Sequence, residues 1–160
     1  MNHARLRLLA PLLALGSLVA FACGESKTIQ PVRAAYKGTL AVDIRGSVDL
    51  TLTPSDQGLD VTLAAFQDGY ALFDPKTPLA AKGRTETFAE SPGWEMYTAK
   101  FATVPASGGA CGDKPVSLAL SLMRKDGNSR VQGSLTAYCG TSYSGVPARV
   151  LRLTGDAGRI

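Results

Sequence analysis

The chain has 160 residues, 45% hydrophobic and 19% charged, with 17 Gly and 9 Pro. That fits one domain and is too poor in charge for a charge-driven disordered chain. The formal net charge of +4 includes Arg5 and Arg7 from the first 22 residues; without them 15 Lys plus Arg face 13 Asp plus Glu, a net +2 that gives no basis for nucleic-acid binding.

Residues 1–22 read as a secretion signal. Arg5 and Arg7 supply the positive start, and an apolar run from Leu8 to Leu15 resumes at Leu18 to Ala22. Pro11 and Gly16 interrupt it and make it a poor permanent span; an uncleaved anchor is the alternative. No later apolar run approaches the ~20 residues a transmembrane helix needs. His3, the only histidine, lies in this segment. The remainder has no imidazole for a Ser-His-Asp triad, a Cys-His dyad or a histidine zinc site.

Ala20-Phe21-Ala22-Cys23 resembles the lipobox of bacterial lipoproteins, with Ala20 where that family usually has Leu. In that family the cysteine is lipidated on sulfur and becomes the mature N-terminus. The resemblance therefore implies lipid on Cys23, a bilayer as partner, and anchoring in the bacterial envelope. With Gly24 next, it implies the outer membrane if the host is diderm. The same residues satisfy the Ala-x-Ala rule for ordinary cleavage, also before Cys23. The cysteines are Cys23, Cys111 and Cys139, an odd number that leaves one thiol to explain in an exported chain. Lipid on Cys23 leaves Cys111 and Cys139 to form one disulfide in an oxidising compartment.

Residues 23–35 are then the lipidated cysteine and a polar, flexible tether, and 36–160 a single β domain. The ~12 residues of tether would span about 20 Å as a coil. From Leu40 to Leu52, Leu40, Val42, Ile44, Val48, Leu50 and Leu52 share one parity, the period of a half-buried strand. A turn at Arg45-Gly46-Ser47 divides the run into a hairpin; a single strand bent at Gly46 would be too long. Thr53 to Gly58 has turn composition, and Leu59, Val61, Leu63 and Ala65 resume the alternation. Facing Leu52 with Leu59 and Leu50 with Val61 keeps the apolar faces together. A short apolar strand is expected at Tyr70–Phe73, another at Thr85–Ala89, and a longer one at Trp94–Val104.

The clearest hairpin is near the C-terminus. Val116, Leu118, Leu120 and Leu122 alternate with polar or small residues, Asp126-Gly127 marks a turn, and Val131, Leu135 and Ala137 alternate beyond it. Centring the turn on Asp126-Gly127 faces Leu122 with Val131 and Leu118 with Leu135. A one-residue slip would separate the apolar faces. Cys139 then lies opposite Lys114, three residues from Cys111, close enough for a bridge. A last strand spans Arg149–Thr154. The sum is an all-β chain, an antiparallel meander closed as a small barrel or sandwich with one disulfide.

Chemistry is sparse. No Gly-x-Gly-x-x-Gly, phosphate-loop or Ser-x-x-Lys motif occurs. Asp43 and Asp49 share the polar parity of their strands, as solvent-facing residues do. Asp126-Gly127-Asn128 lacks the further oxygens of a calcium loop. No catalysis, cofactor or metal is expected. Two spots carry binding-type residues. Trp94, the only Trp, sits with Tyr97 beside the Pro92-Gly93 turn; it is an anchor or, the favoured reading, a plug for one barrel end. Tyr138 and Tyr143 lie in a Tyr-, Ser- and Gly-rich stretch like adaptable binding loops. The expected function is a small envelope-anchored interaction module with an envelope protein as partner. A lipocalin-like ligand carrier, an inhibitor of an envelope hydrolase and a membrane-spanning barrel are the alternatives.

Overall fold

A computed structural model describes residues 27–29, 34–43, 45–67, 72–73, 77–103 and 109–160. The signal segment and Cys23 lie outside the described residues. The period-2 runs become strands whose alternate side chains enter one shared core. The elements are β1 (Lys27–Ile29), β2 (Tyr36–Val42), β3 (Gly46–Ser55), β4 (Gly58–Gln67), β5 (Leu79–Phe88), β6 (Trp94–Thr103), β7 (Val116–Lys125), β8 (Arg130–Cys139), β9 (Arg149–Asp156) and β10 (Gly158–Arg159). Each strand from β2 to β9 pairs antiparallel with its neighbours in sequence, and β9 closes on β2. The result is a closed eight-stranded up-and-down barrel. Closure removes the free edges an open sheet would expose.

The bore is filled. Leu40, Leu50, Leu52, Leu118, Leu135 and Leu151 have 0% of their surface exposed and belong to one apolar cluster. Each such side chain contributes about 1.5–3 kcal/mol by leaving water. A ligand-sized cavity would leave its lining open to a water molecule, and these residues show no such surface. The outer wall carries polar pairs: Thr39 donates to Asp49 at 2.6 Å, and Lys82 pairs with Asp60 at 2.6 Å across β4 and β5.

Both predicted hairpins form, each with its register shifted by two residues. Leu52 faces Val61 rather than Leu59, because β3 runs to Ser55 and turns through 56–57 alone. Leu120, not Leu118, faces Leu135, because the turn between β7 and β8 takes in 126–129. A shift of two preserves the face, so the core residues stay the same. Asn128 N–H closes that turn on the Lys125 carbonyl at 3.0 Å, with Gly127 at φ +73°. Opposite Leu122 stands Gly133. A Cβ there would lie 2.0 Å from the Ser121 carbonyl oxygen, so only glycine lets β7 and β8 approach this closely.

Other expectations are corrected. The first turn lies between Val42 and Gly46, before the predicted Arg45-Gly46-Ser47. Ala65 does not continue the buried parity of Leu63. It takes φ +48° at a β-bulge, is exposed, and passes the inward position to Phe66. Leu72 and Phe73 form no strand of their own but are buried, Phe73 packing edge-on to Phe66 at 4.9 Å between centroids; residues 70–71 of that expected strand lie outside the described residues. The strand predicted at Thr85–Ala89 begins earlier, at Leu79. Within the expected tether, β1 pairs with the end of β5.

The meander gives the barrel two unlike rims. The turns at 56–57, 89–93 and 126–129 lie at one, the hairpin rim, together with β1, the start of β2 and β10. At the opposite loop rim lie the short turn after Val42 and the described parts of three longer connections: 72–73 with 77–78, 109–115 and 140–148. The chain therefore enters and leaves the barrel at the hairpin rim.

Candidate functional site

At the hairpin rim the inward parity of three strands brings polar side chains into the bore. Tyr36 opens β2, Glu95 and Tyr97 stand near the start of β6, and Arg124 ends the inward series Val116, Leu118, Leu120, Leu122 of β7. The Arg124 guanidinium donates to the Tyr36 hydroxyl at 2.7 Å, Glu95 Oε2 at 3.0 Å, the Asn128 carbonyl at 3.0 Å and the Tyr97 hydroxyl at 3.3 Å. It also lies over the Tyr36 ring, 4.2 Å from the centroid. Tyr97 donates its own proton to Glu95 at 2.5 Å. Burying a charge is costly unless it is paired and hydrogen-bonded, and Arg124 meets both conditions.

The electrostatics make this cluster a plug. Burial pushes the Tyr97 phenol well above its ordinary range, and its hydrogen bond to Glu95 adds to the shift. A phenol so held keeps its proton at neutral pH and is no base. Burial lowers the Arg124 pKa, but its hydrogen bond to Tyr97 and its contacts with Glu95 and Tyr36 outweigh that, and the net shift is upward. Tyr97 is 1% exposed and the Arg124 side chain 7%, against 31% for Glu95, so the cluster meets solvent through Glu95 and the half-buried Tyr36.

Trp94 is not the plug. It stands three positions before Tyr97, on the outward parity of β6, is half-buried, and faces Lys125 of β7. The expected pair is split: Tyr97 enters the bore and Trp94 lies on the wall. Sequence reasoning missed Arg124, Glu95 and Tyr36. The signal was present for Arg124, which continues the apolar parity of β7 by two residues.

The loop rim is built differently. Cys111 and Cys139 form the expected disulfide, with Cα atoms 5.2 Å apart. Cys139 faces Val116 rather than Lys114, and a turn at 109–114 brings Cys111 back to it. The bridge braces the connection from Gly140 to Ala148. Gly140 donates to the Pro115 carbonyl at 2.7 Å, while its own carbonyl accepts from the Ser117 hydroxyl at 2.7 Å. Tyr143 folds inward, its hydroxyl donating to the Phe101 carbonyl at 3.1 Å and its ring under the Lys100 ammonium at 4.9 Å. Tyr138 lies half-buried on the outer wall of β8. The fixed tyrosine leaves the segment Ser144 to Ala148 exposed, with Val146 at 94%. This is a connection held at both ends and at its middle, offering an apolar tip.

Asp43 and Asp49 do not form a carboxylate pair. Asp49 accepts from Thr39 on the wall. Asp43, at φ +50°, exchanges two 2.8 Å hydrogen bonds with the backbone of Arg152 and seals the seam between β2 and β9. Two grooves of about 510 Å³ run along the outside, one beside Lys82, Arg84 and Lys100, the other beside Met123, Val150 and Arg152. Both are open to solvent.

No protein-family model, curated protein or solved structure matches the chain.

Proposed function

We propose that the protein is a small lipoprotein of the bacterial envelope, anchored by lipid on Cys23, that acts without catalysis by contacting an envelope protein through its loop rim. The filled bore carries this reading. A carrier needs an enclosed apolar space for its cargo, commonly 300 Å³ or more, and here leucines occupy that space. What the barrel offers outward is its surface. The tether enters at the hairpin rim, so lipid on Cys23 turns the loop rim away from the bilayer. There the disulfide and Tyr143 hold the 140–148 connection in place, which lowers the entropy cost of docking it. In a diderm host, Gly24 after the lipidated cysteine is compatible with sorting to the outer membrane.

Two measurements test the reading. Cells fed a labelled fatty acid should incorporate label into the wild type and not into Cys23→Ser; an unlabelled wild type overturns the anchor. Photo-crosslinkers placed at Val146 and, as a control, at Asn128 should capture one protein of defined mass from native envelopes through position 146 alone. Equal capture at both rims overturns the assignment of the binding face.

A further inference from the structure

We infer that β1 is a clasp: residues of the chain's own tether dock reversibly on the end of β5 that runs on past the β4–β5 ladder, and their release lengthens the link between lipid and barrel. The edge exists because β5 overshoots its neighbour. The β4–β5 ladder ends with Leu59 opposite Gly83, while β5 continues to Phe88. On its other side β5 remains paired with β6 as far as Thr87 opposite Glu95. Past Gly83 no barrel strand flanks β5 on the β4 side, and β1 takes that place, with Lys27 opposite Phe88, Thr28 opposite Thr87 and Ile29 opposite Glu86. An uncovered edge invites pairing with another chain, so this occupancy also protects the barrel.

Two features make the pairing reversible. β1 has 3 residues, against 7 to 10 for the barrel strands, and among the described residues it pairs with β5 alone. Each hydrogen bond of so short a ladder contributes little net stability, and ordering a tether segment costs backbone entropy of comparable size. The consequence is one of reach. With the clasp closed, residues 24–26 alone separate Cys23 from the barrel, at most about 14 Å of chain; with it open, residues 24–35 separate Cys23 from Tyr36, about 45 Å. The change in reach rests on the lipid at Cys23 proposed above; the clasp itself does not.

Hydrogen exchange on the lipidated full chain in vesicles tests the clasp. Three forms are compared: wild type, Thr28→Pro, and Thr28→Cys/Thr87→Cys, which joins two opposed residues. In the wild type, those amides of 27–29 and 86–88 that point across the β1–β5 ladder, rather than to β6 or solvent, should exchange at least 10-fold faster than those of the β3–β4 ladder, yet slower than an unpaired chain. Thr28→Pro should remove that protection at both places and leave the β3–β4 ladder unchanged, and the crosslink should raise it. Exchange at 86–88 that ignores Thr28→Pro, or that is already as slow as the β3–β4 ladder, overturns the clasp. Trp94, at the hairpin rim, reads the reach through energy transfer to dansyl-labelled lipid. Transfer should be greater in the crosslinked form than in Thr28→Pro; equal transfer overturns the change in length. A Cys23→Ser chain that stays on the vesicles overturns the lipid anchor instead, and the exchange data still decide the clasp.

Discussion

At the hairpin rim the bore is closed by Arg124, Tyr97, Tyr36 and Glu95; at the loop rim by Phe66, Leu72 and Phe73, with the Cys111–Cys139 bridge alongside. Connection length explains the difference. Turns of a few residues cannot fold over the opening, so side chains must reach inward from the strand ends, and a long guanidinium stacked on a tyrosine fills the space. A long connection can fold back and insert apolar side chains of its own, as Leu72 and Phe73 do. The polar closure demands exact partners, whereas the apolar closure needs volume. The first rim is thus committed to stability, and the second leaves loop length free to vary.

The largest effect should come from breaking the polar closure. Arg124→Ala removes the donor to two phenols and a carboxylate; the Tyr97–Glu95 hydrogen bond remains, but Glu95 loses its counter-charge and the Tyr36 hydroxyl its donor at the barrel end. Loss of one partner of a buried pair costs about 3–5 kcal/mol, and the partial exposure of Glu95 puts the expected value near the lower limit. Guanidinium denaturation measures it. A loss below ~1 kcal/mol would show that the plug does not hold the rim.

Cutting the disulfide tests the other rim. Cys111→Ala with Cys139→Ala should cost about 2–4 kcal/mol by the chain-entropy account of a bridge spanning 28 residues. Faster hydrogen exchange should be confined to 109–115 and 140–148. If exchange quickens equally at 124–130, the rims are not independent.

Tyr97 and Trp94, three residues apart, sharpen the contrast between bore and wall. Tyr97→Ala should cost about 3–5 kcal/mol as a buried aromatic, and Trp94→Ala clearly less, since Trp94 is half-buried on the outside. Thermal melts of the two variants decide the order, and the reverse order would sink the assignment of the plug. The folded state raises the Tyr97 pKa above its unfolded value, so the protonated phenol is favoured by folding. Its contribution is intact below about pH 10, where the unfolded phenol starts to ionise, and is lost as pH rises further. Tyr97→Phe should flatten the alkaline slope of stability; a slope equal to that of the wild type would contradict the shift.

The smallest change in stability is expected at the loop tip. Val146→Asp lies on an almost fully exposed residue and should alter stability by less than about 0.5 kcal/mol. If the loop rim is the binding face, the same change should abolish capture of the partner by a photo-crosslinker moved to the exposed Thr141 of the same connection. A stable variant that keeps its partner would move the binding face elsewhere.

Ile44 lies outside the described residues; for the rest, the alternation of Leu40 to Leu52 and of Val116 to Ala137 determined by itself which residues enter the core, because strand parity is a property of the chain. Both hairpins and the disulfide followed from that parity and from three cysteines. Register did not. A shift of two residues keeps every face, so nothing in the pattern separates Leu52 opposite Leu59 from Leu52 opposite Val61; turn length decided, and turn length answers to the neighbouring strands. The bulge at Ala65 was hidden for a similar reason, since alanine is neutral between faces and only the approach of β3 assigns it outward. Arg124 stood on the apolar parity of β7 in plain view. Its partners Tyr36 and Glu95 stand 88 and 29 residues away in the chain; the β6–β7 ladder sets Glu95 opposite Arg124, and only closure of the barrel brings Tyr36 to its guanidinium. The sequence alone determined the faces, since alternation is local; the tertiary structure decided registers, rims and the polar plug, since these depend on strands distant in the chain meeting around a shared bore.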